Sequence, residues 1–392
     1  MPTIAALVQL LLFSVFSNRI RKIQSTVKNW ETRRTASENS AVTYRSGGSI
    51  IQFDSACATG FSIIRNGNQR ATPSTVGCAF IKAGSRKENV SWEEESETYG
   101  WYRGQQHKFL RDVGASYKGT PTVVFFKSED DATIPAEVQR NLSSHGFAYL
   151  AHSFSFENNS RISKSVAKKD GLIFQPDFHF IEHDGFSKTI RKLRHESKPY
   201  SSKLPIVFWR GSNTGSSQTC RDLNRVKMCT LAKNFGWLDL KITQNLQLCS
   251  EDDLRPILSN RTHELEWSNH KGILDIDGHV SAWGLFWRLG SGSVVFRVES
   301  PYVNAYILKM KPFVHYIPIK KDLSDLGLMT SAVKNDTFLH CSNTSSECKE
   351  IRMTDIRENA WALTLDFSYL KEVKRVAREI GKFAYHVPSL HD

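Results

Sequence analysis

Apolar and polar positions along the chain form blocks that predict strands and helices in alternation. In the clearest block, two apolar segments at 273–276 and 294–298 flank a glycine and an amphipathic segment. Both apolar segments predict strands, and the second is apolar enough to be buried. Between them, Gly278 permits a turn, and Ser281 is suited to cap a helix that ends at Gly290. The block therefore predicts a βαβ unit, which is typical of α/β folds.

Three further segments carry equally clear patterns. Residues 123–126 and 206–209 are short apolar runs that predict strands. Residues 368–384 have apolar side chains at helical spacing and predict an amphipathic helix. The apolar face of this helix comprises Leu370, Val373, Val376, Ile380 and Phe383.

The βαβ unit also indicates a type of ligand. In open α/β sheets, ligands bind beyond the carboxyl ends of the strands, and the free amides at a helix N-terminus favour anions there. A helix beginning at Ser281 would direct these amides at that crevice. The pattern therefore suggests a site for a diphosphate, although many such units bind nothing at this turn.

Five segments of the sequence resemble glycosyltransferase family 90. They read DIDGHVSAWGLFWRLGSGSVVFRVESPY from residue 275, KPFVHYIPIKKDLSDL from 311, LPIVFWRGSNTG from 204, DGLIFQPDFHF from 170 and PTVVFFKSEDDATIP from 121. The sequence of these segments is most similar to the lipopolysaccharide-modifying branch of this family, which also contains protein O-glucosyltransferases. The resemblance covers roughly residues 121–385.

This resemblance implies a GT-B-like α/β fold, in which two Rossmann-like domains face each other across a cleft. It also implies an inverting, metal-independent transferase that needs no cofactor beyond its nucleotide-sugar co-substrate. A UDP-sugar is the expected donor, and a hydroxyl group of a protein or glycan is the expected acceptor. The alternative is a non-catalytic carbohydrate- or nucleotide-binding protein on the same fold.

Family resemblance assigns the catalytic base to Asp131, with Asp130 as the fallback. A base must take the proton of the acceptor hydroxyl, and fixed positive charge must stabilise the departing diphosphate. Arg210 is suited to the second role because a guanidinium binds two phosphate oxygens at once. The complete set of expected donor-binding residues is Arg210, Gly211, Ser212, Arg221, Asp277, Gly278, His279, Val280, Ser281, Ala282, Trp283, Arg288, Gly292 and Ser293.

One position departs from the family pattern. Protein O-glucosyltransferases have an arginine where this chain has Gly284. Arg288 follows one helical turn later and is the candidate substitute. The departure leaves the identity of the donor open.

Two acidic or histidine-containing motifs suggest metal chemistry instead. Asp275 and Asp277 form a D-x-D pair of the kind that binds a metal-bound nucleotide. Residues 179–183 read HFIEH, which matches the H-x-x-E-H pattern of zinc proteases. Because Pro176 and alternating aromatics favour a strand or loop there, and the D-x-D lies inside the family-90-like segment, we expect no metal at either.

Composition constrains the domain count and the partners. With 392 residues, 40% of them hydrophobic, the chain can bury two cores. The formal charge of +12 favours anionic partners such as a nucleotide-sugar. The basic residues are spread without a nucleic-acid motif, so no nucleic-acid partner is expected. The expected organisation is a signal or signal-anchor-like segment (1–23), a polar linker (24–48), an acceptor-side α/β domain (49–200), a nucleotide-sugar-binding domain (201–365) and a C-terminal helix packing back on the first domain (366–392).

The first residues and the cysteines bear on location. The apolar stretch 4–16 is short for a membrane span, and basic residues follow it. It suggests membrane attachment through the N-terminus, in the endoplasmic reticulum or Golgi lumen of a eukaryote or, alternatively, on the cytoplasmic membrane face of a bacterium. Of the seven cysteines, Cys341 and Cys348 are spaced to close a small disulfide loop, and the odd number leaves at least one thiol unpaired.

Overall fold

Two five-stranded sheets contain most of the strands in the computed structural model. The structure describes residue 57 and residues 76–84, 89–92, 100–120, 122–127, 132–155, 171–341 and 348–383. Gln52 onwards forms one compact unit, and both sheets lie within it. The segment 4–16 and the candidate base Asp131 lie outside the described residues. Among the described helices, none combines the length and apolarity needed to cross a membrane.

The first sheet is mixed. Its strand order is β2-β1-β3-β4-β6, with β3, β4 and β6 parallel and β1 antiparallel to both β2 and β3. Its strands are β1 (Val76–Ile81), β2 (Asn89–Trp92), β3 (Thr122–Lys127), β4 (Ala148–Ala151) and β6 (Leu172–Phe174). Every residue of β3 and β4 is buried, as expected for central strands covered on both faces.

The second sheet is wholly parallel. Its order is β8-β7-β9-β10-β12. The strands are β7 (Leu204–Ser212), β8 (Leu238–Gln244), β9 (His270–Asp275), β10 (Val294–Val298) and β12 (Ile317–Ile319). The chain leaves β7 for β8 on one side and returns for β9 on the other. The strand order therefore reverses between β7 and β9, which opens a crevice at their carboxyl ends.

Helices connect and cover the strands. They are α1 (Gly100–Ser116), α2 (Ala136–Ser144), α3 (Phe178–Glu182), α4 (Ser187–Glu196), α5 (Asn224–Ala232), α6 (Glu251–Leu254), α7 (Glu264–Trp267), α8 (Leu285–Leu289), α9 (Leu326–Ser331), α10 (Met353–Asp366) and α11 (Tyr369–Ile380). Helix α11 packs on α1 and contacts β6, and its buried valines join the core of the first sheet.

Two short ladders complete the structure. Strand β5 (Phe154–Ser155) follows the first sheet's β4 in the chain and pairs antiparallel with β11 (Tyr302–Val303), which follows β10 of the second sheet. Strands β13 (Thr337–Cys341) and β14 (Cys348–Arg352) form a hairpin. The β5–β11 ladder thus joins the chain segments that leave the two sheets.

One hydrophobic core extends between the sheets. Phe180 of α3 meets Phe286 of α8 edge to face, with ring centroids 4.8 Å apart. Tyr306 contacts both rings and donates a hydrogen bond to Asp177, which caps α3. Such aromatic contacts add to the stabilisation from burial, and they make the joint between the two halves a packed one.

The α/β class and the two-sheet arrangement expected of a GT-B-like fold are confirmed. The predicted strand 294–298 is β10, and 206–209 and 123–126 lie within β7 and β3. Two local expectations are wrong. Helix α8 begins after Gly284, so Ser281 does not cap it. In α11, Leu370 is 58% exposed because it lies off the face that carries Val373 and Val376.

Candidate active site

A cavity of about 390 Å³ opens where the strand order reverses. Loops that leave the carboxyl ends of β7, β9, β10 and β12 form most of its wall, and Ser155 of β5 contributes from the first half of the chain. The wall is mainly polar, as a site for a hydrophilic ligand requires. The lining residues with polar side chains are Ser155, Ser216, Ser217, Asp222, Asn224, Asp277, His279, Glu299, Tyr302 and Lys321.

Arg225 of α5 holds two of these loops together. Its Nε donates to the carbonyl oxygen of Asp277 at 3.0 Å, and its Nη2 donates to that of Ile276 at 3.0 Å. Its Nη1 donates to Thr214 Oγ1 at 2.8 Å and to the carbonyl oxygen of Ser212 at 3.2 Å. The planar guanidinium fork suits this task because it binds several acceptors at fixed angles. The loops after β7 and β9 are therefore fixed to each other by one side chain.

Sequence reasoning did not select Arg225. It selected Arg210 and Arg221, which stand at a strand end and in the following loop. The sequence offered one signal for Arg225. It lies four residues after Arg221, at the start of the helix that connects β7 to β8.

Gly278 is needed where the two loops make their closest approach. A Cβ atom at this position would lie 2.6 Å from Thr214 Oγ1 and 3.2 Å from Arg225 Nη2. The amide of Gly278 also donates to Val280 O at 3.1 Å, which closes the predicted turn. Only glycine fits this turn without displacing the loop after β7.

Buried charges lie beneath the turn. Arg288 of α8 donates to Asp275, and Arg297 Nε lies 3.6 Å from the other oxygen of that carboxylate. With Arg225 and Asp277, the group has three arginines and two carboxylates. Burial raises the pKa of Asp277 to about 6, against the opposing effect of Arg297. The cluster has a positive balance that favours an anion in the neighbouring cavity.

Arg210 is directed away from the cavity wall. Its Nη2 forms an ion pair with Asp239 of β8 at 2.8 Å, and Nη1 donates to the carbonyl oxygens of Trp209 and Asp239. Its guanidinium also lies 4.1 Å from the ring centre of Phe208. At the next residue, a Cβ on Gly211 would lie 2.5 Å from the Trp209 ring, so this glycine is needed for packing.

Two more expected donor contacts are separated from the cavity. Arg221 is solvent-exposed, whereas its neighbour Asp222 lines the cavity. Arg288 is buried against Asp275 and lies 5.0 Å from the ring centre of Trp267. Arg288 thus acts on the cavity through the field of the buried cluster.

Ser281 lies between the two halves of the chain. Its hydroxyl group is 3.3 Å from that of Ser153, which lies in the loop after β4. Val280 and Ala282 are buried beside it, while Trp283 is 39% exposed and contacts the His179 ring, with centroids 4.1 Å apart and the planes tilted by 32°. The segment that follows the glycine turn therefore faces the first half of the chain.

Gly292 and Ser293 lie at the opposite edge of the second sheet. They precede β10, and both contact the buried ammonium group of Lys203, which precedes β7. Burial and the nearby Arg357 lower the pKa of Lys203 to about 7. Because the cavity lies at the carboxyl ends of the strands, these two residues are remote from it.

Ala132 and Thr133, which follow the candidate base in the chain, are anchored to the segment Ser153–Ser155. Ala132, the residue after Asp131, donates its amide to Ser153 O at 2.8 Å. Tyr149 OH donates to Ala132 O at 2.9 Å, and Thr133 Oγ1 accepts from the amide of Ser155. The chain that follows Asp131 is thus anchored beside Ser153 and Ser155, on the first half's side of the cavity.

The D-x-D pair and the H-x-x-E-H motif have different surroundings in the structure. Asp275 of the D-x-D pair is 1% exposed and faces two arginines, so it offers no open ligand pair. The H-x-x-E-H motif is helical, and the expected strand or loop is wrong. Asp177 caps α3 by accepting a hydrogen bond from the amide of Phe180. This cap stabilises the start of the helix directly after Pro176. Burial lowers the pKa of His179 to about 4.

One of the disulfides anchors a loop that lines the cavity. Cys220–Cys249 joins the loop after β7 to the loop after β8, and Cys57–Cys78 fixes residue 57 to β1. Cys348 is also disulfide-bonded, and its partner in the β13–β14 ladder is Cys341. Cys229 is a buried free thiol, as the odd number of cysteines requires.

The fold is a two-sheet α/β arrangement with a polar cavity at the switch point of the parallel sheet. A model of glycosyl transferase family 90 matches residues 173–378, just over half of the 392 residues. The chain belongs to glycosyltransferase family 90.

The individual relatives cover half of this chain or less. Protein O-glucosyltransferase 2 of Danio rerio is 29% identical over 133 residues, which are 34% of this chain and 25% of that protein. Uncharacterized protein 179R of Invertebrate iridescent virus 6 is 34% identical over 229 residues, covering 50% of this chain and 17% of that protein. The chain thus spans a quarter or less of these two relatives. A glycosyltransferase from Rickettsia africae ESF-5 matches in structure with a TM-score of 0.36 and 10% identity, over 64% of this chain and 70% of that one.

Proposed function

We propose that this protein is an inverting glycosyltransferase that moves a sugar from a nucleotide-sugar to a hydroxyl group of a protein or glycan. Family membership supports the reaction class. The observation that carries the proposal is the polar cavity at the switch point, lined by loops of the second sheet and by Ser155 from the first half. A cavity between two halves suits a reaction that must bring together a donor and an acceptor.

The donor would bind on the side of the second sheet. Its diphosphate would lie at the Gly278 turn, where the absence of a side chain lets phosphate oxygens approach the backbone. His279 and Lys321 line the same cavity, and the buried arginines behind Asp277 supply fixed positive charge. We assign to Arg225 the task of holding both loops, and to the cluster the electrostatic role first expected of Arg210.

The chemistry would be a single displacement without a metal. Asp131 takes the proton of the acceptor hydroxyl group while the acceptor oxygen forms a bond to the anomeric carbon of the donor sugar. The bond from that carbon to the diphosphate breaks on the opposite face, and the electron pair leaves with the diphosphate. Preorganised amides and guanidinium groups stabilise the charge that develops there. A UDP-sugar is the proposed donor.

The disulfides support an oxidising compartment. We therefore propose that the protein works in the lumen of the endoplasmic reticulum or Golgi, attached through its N-terminal segment.

The decisive experiment measures transfer and donor hydrolysis with a panel of UDP-sugars and protein or glycan acceptors. Asp131→Asn should lower turnover by at least about 100-fold while UDP binding stays within about twofold, because a general base contributes about that much. Glu129→Gln, two residues earlier, is the matched control and should retain activity. Anomeric configuration of the product by NMR tests inversion, and transfer in EDTA tests metal independence. Donor binding with no Asp131-dependent turnover would instead support the non-catalytic alternative.

A further inference from the structure

We propose that His179, Glu182 and His183 form a binding site for a divalent transition-metal ion of the zinc class. The three side chains present one ligand atom each, and these atoms all lie within 4.8 Å of one another. The site lies on α3 and its C-terminal cap, and none of its residues lines the cavity described above. It is therefore separate from the proposed metal-independent transfer.

Two of the three distances between the ligand atoms match the spacing around one ion. Glu182 Oε2 lies 3.4 Å from His179 Nδ1 and 3.5 Å from His183 Nε2. In a tetrahedral zinc site with bonds of about 2.0–2.1 Å, neighbouring ligand atoms lie about 3.4 Å apart. Both separations are longer than ordinary hydrogen bonds, which for N–H donors fall near 2.9–3.0 Å. The third separation, between the two imidazole nitrogens, is within 4.8 Å. A small adjustment of side-chain torsions would therefore bring all three atoms around one ion.

Helical geometry produces this convergence. Residues three and four positions apart lie on the same face of a helix, so Glu182 and His183 both project beside His179. The turn is fixed at its start by Asp177, whose carboxylate accepts from the amide of Phe180 at 2.9 Å. The three ligands therefore need no rearrangement of the backbone to meet a metal ion.

Two tryptophans orient the ligands. Trp101 Nε1 donates to Glu182 Oε1 at 3.2 Å, which leaves Oε2 directed at the two imidazole rings. The ring of Trp283 lies 4.1 Å from that of His179, and the ring of Trp101 lies 4.9 Å from it, both tilted. Groups that orient the ligands in this way commonly contribute 10- to 100-fold to metal affinity, about 1.4 to 2.7 kcal/mol.

The ligand set selects the class of metal. Two imidazoles and one carboxylate suit Zn²⁺, Ni²⁺ or Cu²⁺, whereas Ca²⁺ and Mg²⁺ prefer oxygen ligands. Three protein ligands leave a further position for water. In zinc proteases the glutamate of such a motif remains free as a base, but here Glu182 faces both imidazoles and acts as a ligand.

The test uses the full chain without a histidine tag, stripped of metal and titrated with Zn²⁺ against a chromophoric chelator. The expected result is one Zn²⁺ per chain. His179→Ala and His183→Ala should each weaken binding by at least about 100-fold, since removing a ligand should cost no less than removing its support. His195→Ala, an exposed histidine on α4, is the control and should bind like wild type. Circular dichroism of the metal-free variants checks that they remain folded.

A second variant addresses the geometry without removing a ligand. Trp101→Phe keeps an aromatic side chain but loses the indole N–H group that donates to Glu182. We expect Zn²⁺ affinity to fall by about 10-fold or more. Ni²⁺ should quench part of the tryptophan fluorescence in wild type, where Trp101 and Trp283 both lie beside His179, and not in His179→Ala. Equal Zn²⁺ affinity in His179→Ala, His183→Ala and His195→Ala would overturn the proposal. Because the measurement needs neither donor nor acceptor, that result would leave the proposed transferase function untouched.

Discussion

Arg225 donates from Nε to the carbonyl oxygen of Asp277 at 3.0 Å, across the crevice between β7 and β9. The same guanidinium group reaches Thr214 in the loop after β7. The two loops that would hold a nucleotide diphosphate are therefore set by a side chain from the following helix, α5. Loss of this side chain should change both loops together.

Replacing Arg225 by lysine tests this role. Arg225→Lys keeps the charge but cannot reach four acceptors at once. We expect the free energy of unfolding to fall by about 2–4 kcal/mol, given about 1.5–3 kcal/mol for each hydrogen bond from a charged group and partial replacement by lysine. UDP binding should weaken as well. Arg221→Lys, on the exposed loop nearby, is the control, and equal effects of the two substitutions on the urea midpoint and UDP affinity would contradict the role.

A second prediction concerns the steric clash that a side chain at Gly278 would cause. In Gly278→Ala the new methyl group lies 2.6 Å from Thr214 Oγ1, and relieving such a clash typically costs about 1–3 kcal/mol. We expect donor affinity to fall by about 10-fold, which corresponds to about 1.4 kcal/mol. Adding Thr214→Ala removes the clashing oxygen and should restore part of the affinity. Gly236→Ala, where a Cβ meets nothing within 4 Å, is the control.

The contrast between Arg210 and Arg225 shows which features of the site could be predicted from the sequence. The strands, the glycine turn and the family were predictable because each leaves a local pattern. The partner of an arginine at a strand end was not, because alternate residues of a strand face opposite sides of the sheet. Arg210 shares its side with Phe208 and meets Asp239, a contact that no sequence pattern announces.

The helix start was missed for a related reason. Ser281 is a good cap by residue type, but its hydroxyl faces Ser153, which lies 128 positions earlier in the chain. Such a tertiary contact overrides a local preference, and the helix begins only after Gly284. The H-x-x-E-H segment is the converse case, since the cap at Asp177 outweighed its strand-like aromatic alternation.

Asp277 should make stability depend on pH. Its pKa of about 6 in the folded protein lies above the usual 3.8, so the folded state binds its proton more tightly than the unfolded state. Stability from this group is therefore present at low pH and falls as pH rises from about 4 to about 6. Asp277→Asn should lack this fall. The variant should gain about 1–2 kcal/mol relative to wild type across that window, which allows for the partial exposure of the carboxylate.

Urea unfolding at about pH 3.5, 4.5, 5.5 and 6.5, a series that spans this window, measures the difference. Asp366→Asn, at an exposed position of α10, controls for the change in net charge. A wild-type-to-variant difference that stays constant over the series would contradict the raised pKa.

The Cys220–Cys249 disulfide should matter for ligand binding as well as stability. It closes a loop of 29 residues and anchors the segment that contributes Ser216, Ser217 and Asp222 to the cavity. Chain entropy for such a loop predicts a loss of about 3–4 kcal/mol in the double serine variant. UDP affinity should fall too, as measured by calorimetry.

The matched control is the double serine variant of Cys57 and Cys78, which closes a loop of similar size away from the cavity. It should lower the melting temperature without changing UDP affinity. Equal UDP affinities in the two double variants would contradict a specific role for the Cys220–Cys249 bond.

The C-terminal helix α11 is held by a partly buried ion pair. Arg375 contacts Glu372 with Nε and Nη2, contacts Glu379 with Nη1 at 2.8 Å, and donates to Phe174 O at the end of β6. Arg375→Ala would leave the Glu372 carboxylate, only 4% exposed, without its partner. Breaking a buried pair this way costs about 3–5 kcal/mol, and the partial exposure of Arg375 lowers our expectation to about 2–4 kcal/mol.

Hydrogen exchange should therefore rise across α11 in Arg375→Ala, because this helix loses its hydrogen bond to β6, although Val373 and Val376 still pack in the core of the first sheet. Arg378→Ala, an exposed arginine on the same helix, should leave both exchange and melting temperature near wild type. Adding Glu372→Gln to Arg375→Ala removes the orphaned charge and should recover part of the loss. If the two alanine variants exchange alike, the apolar face alone holds the helix, and the ion pair contributes nothing measurable.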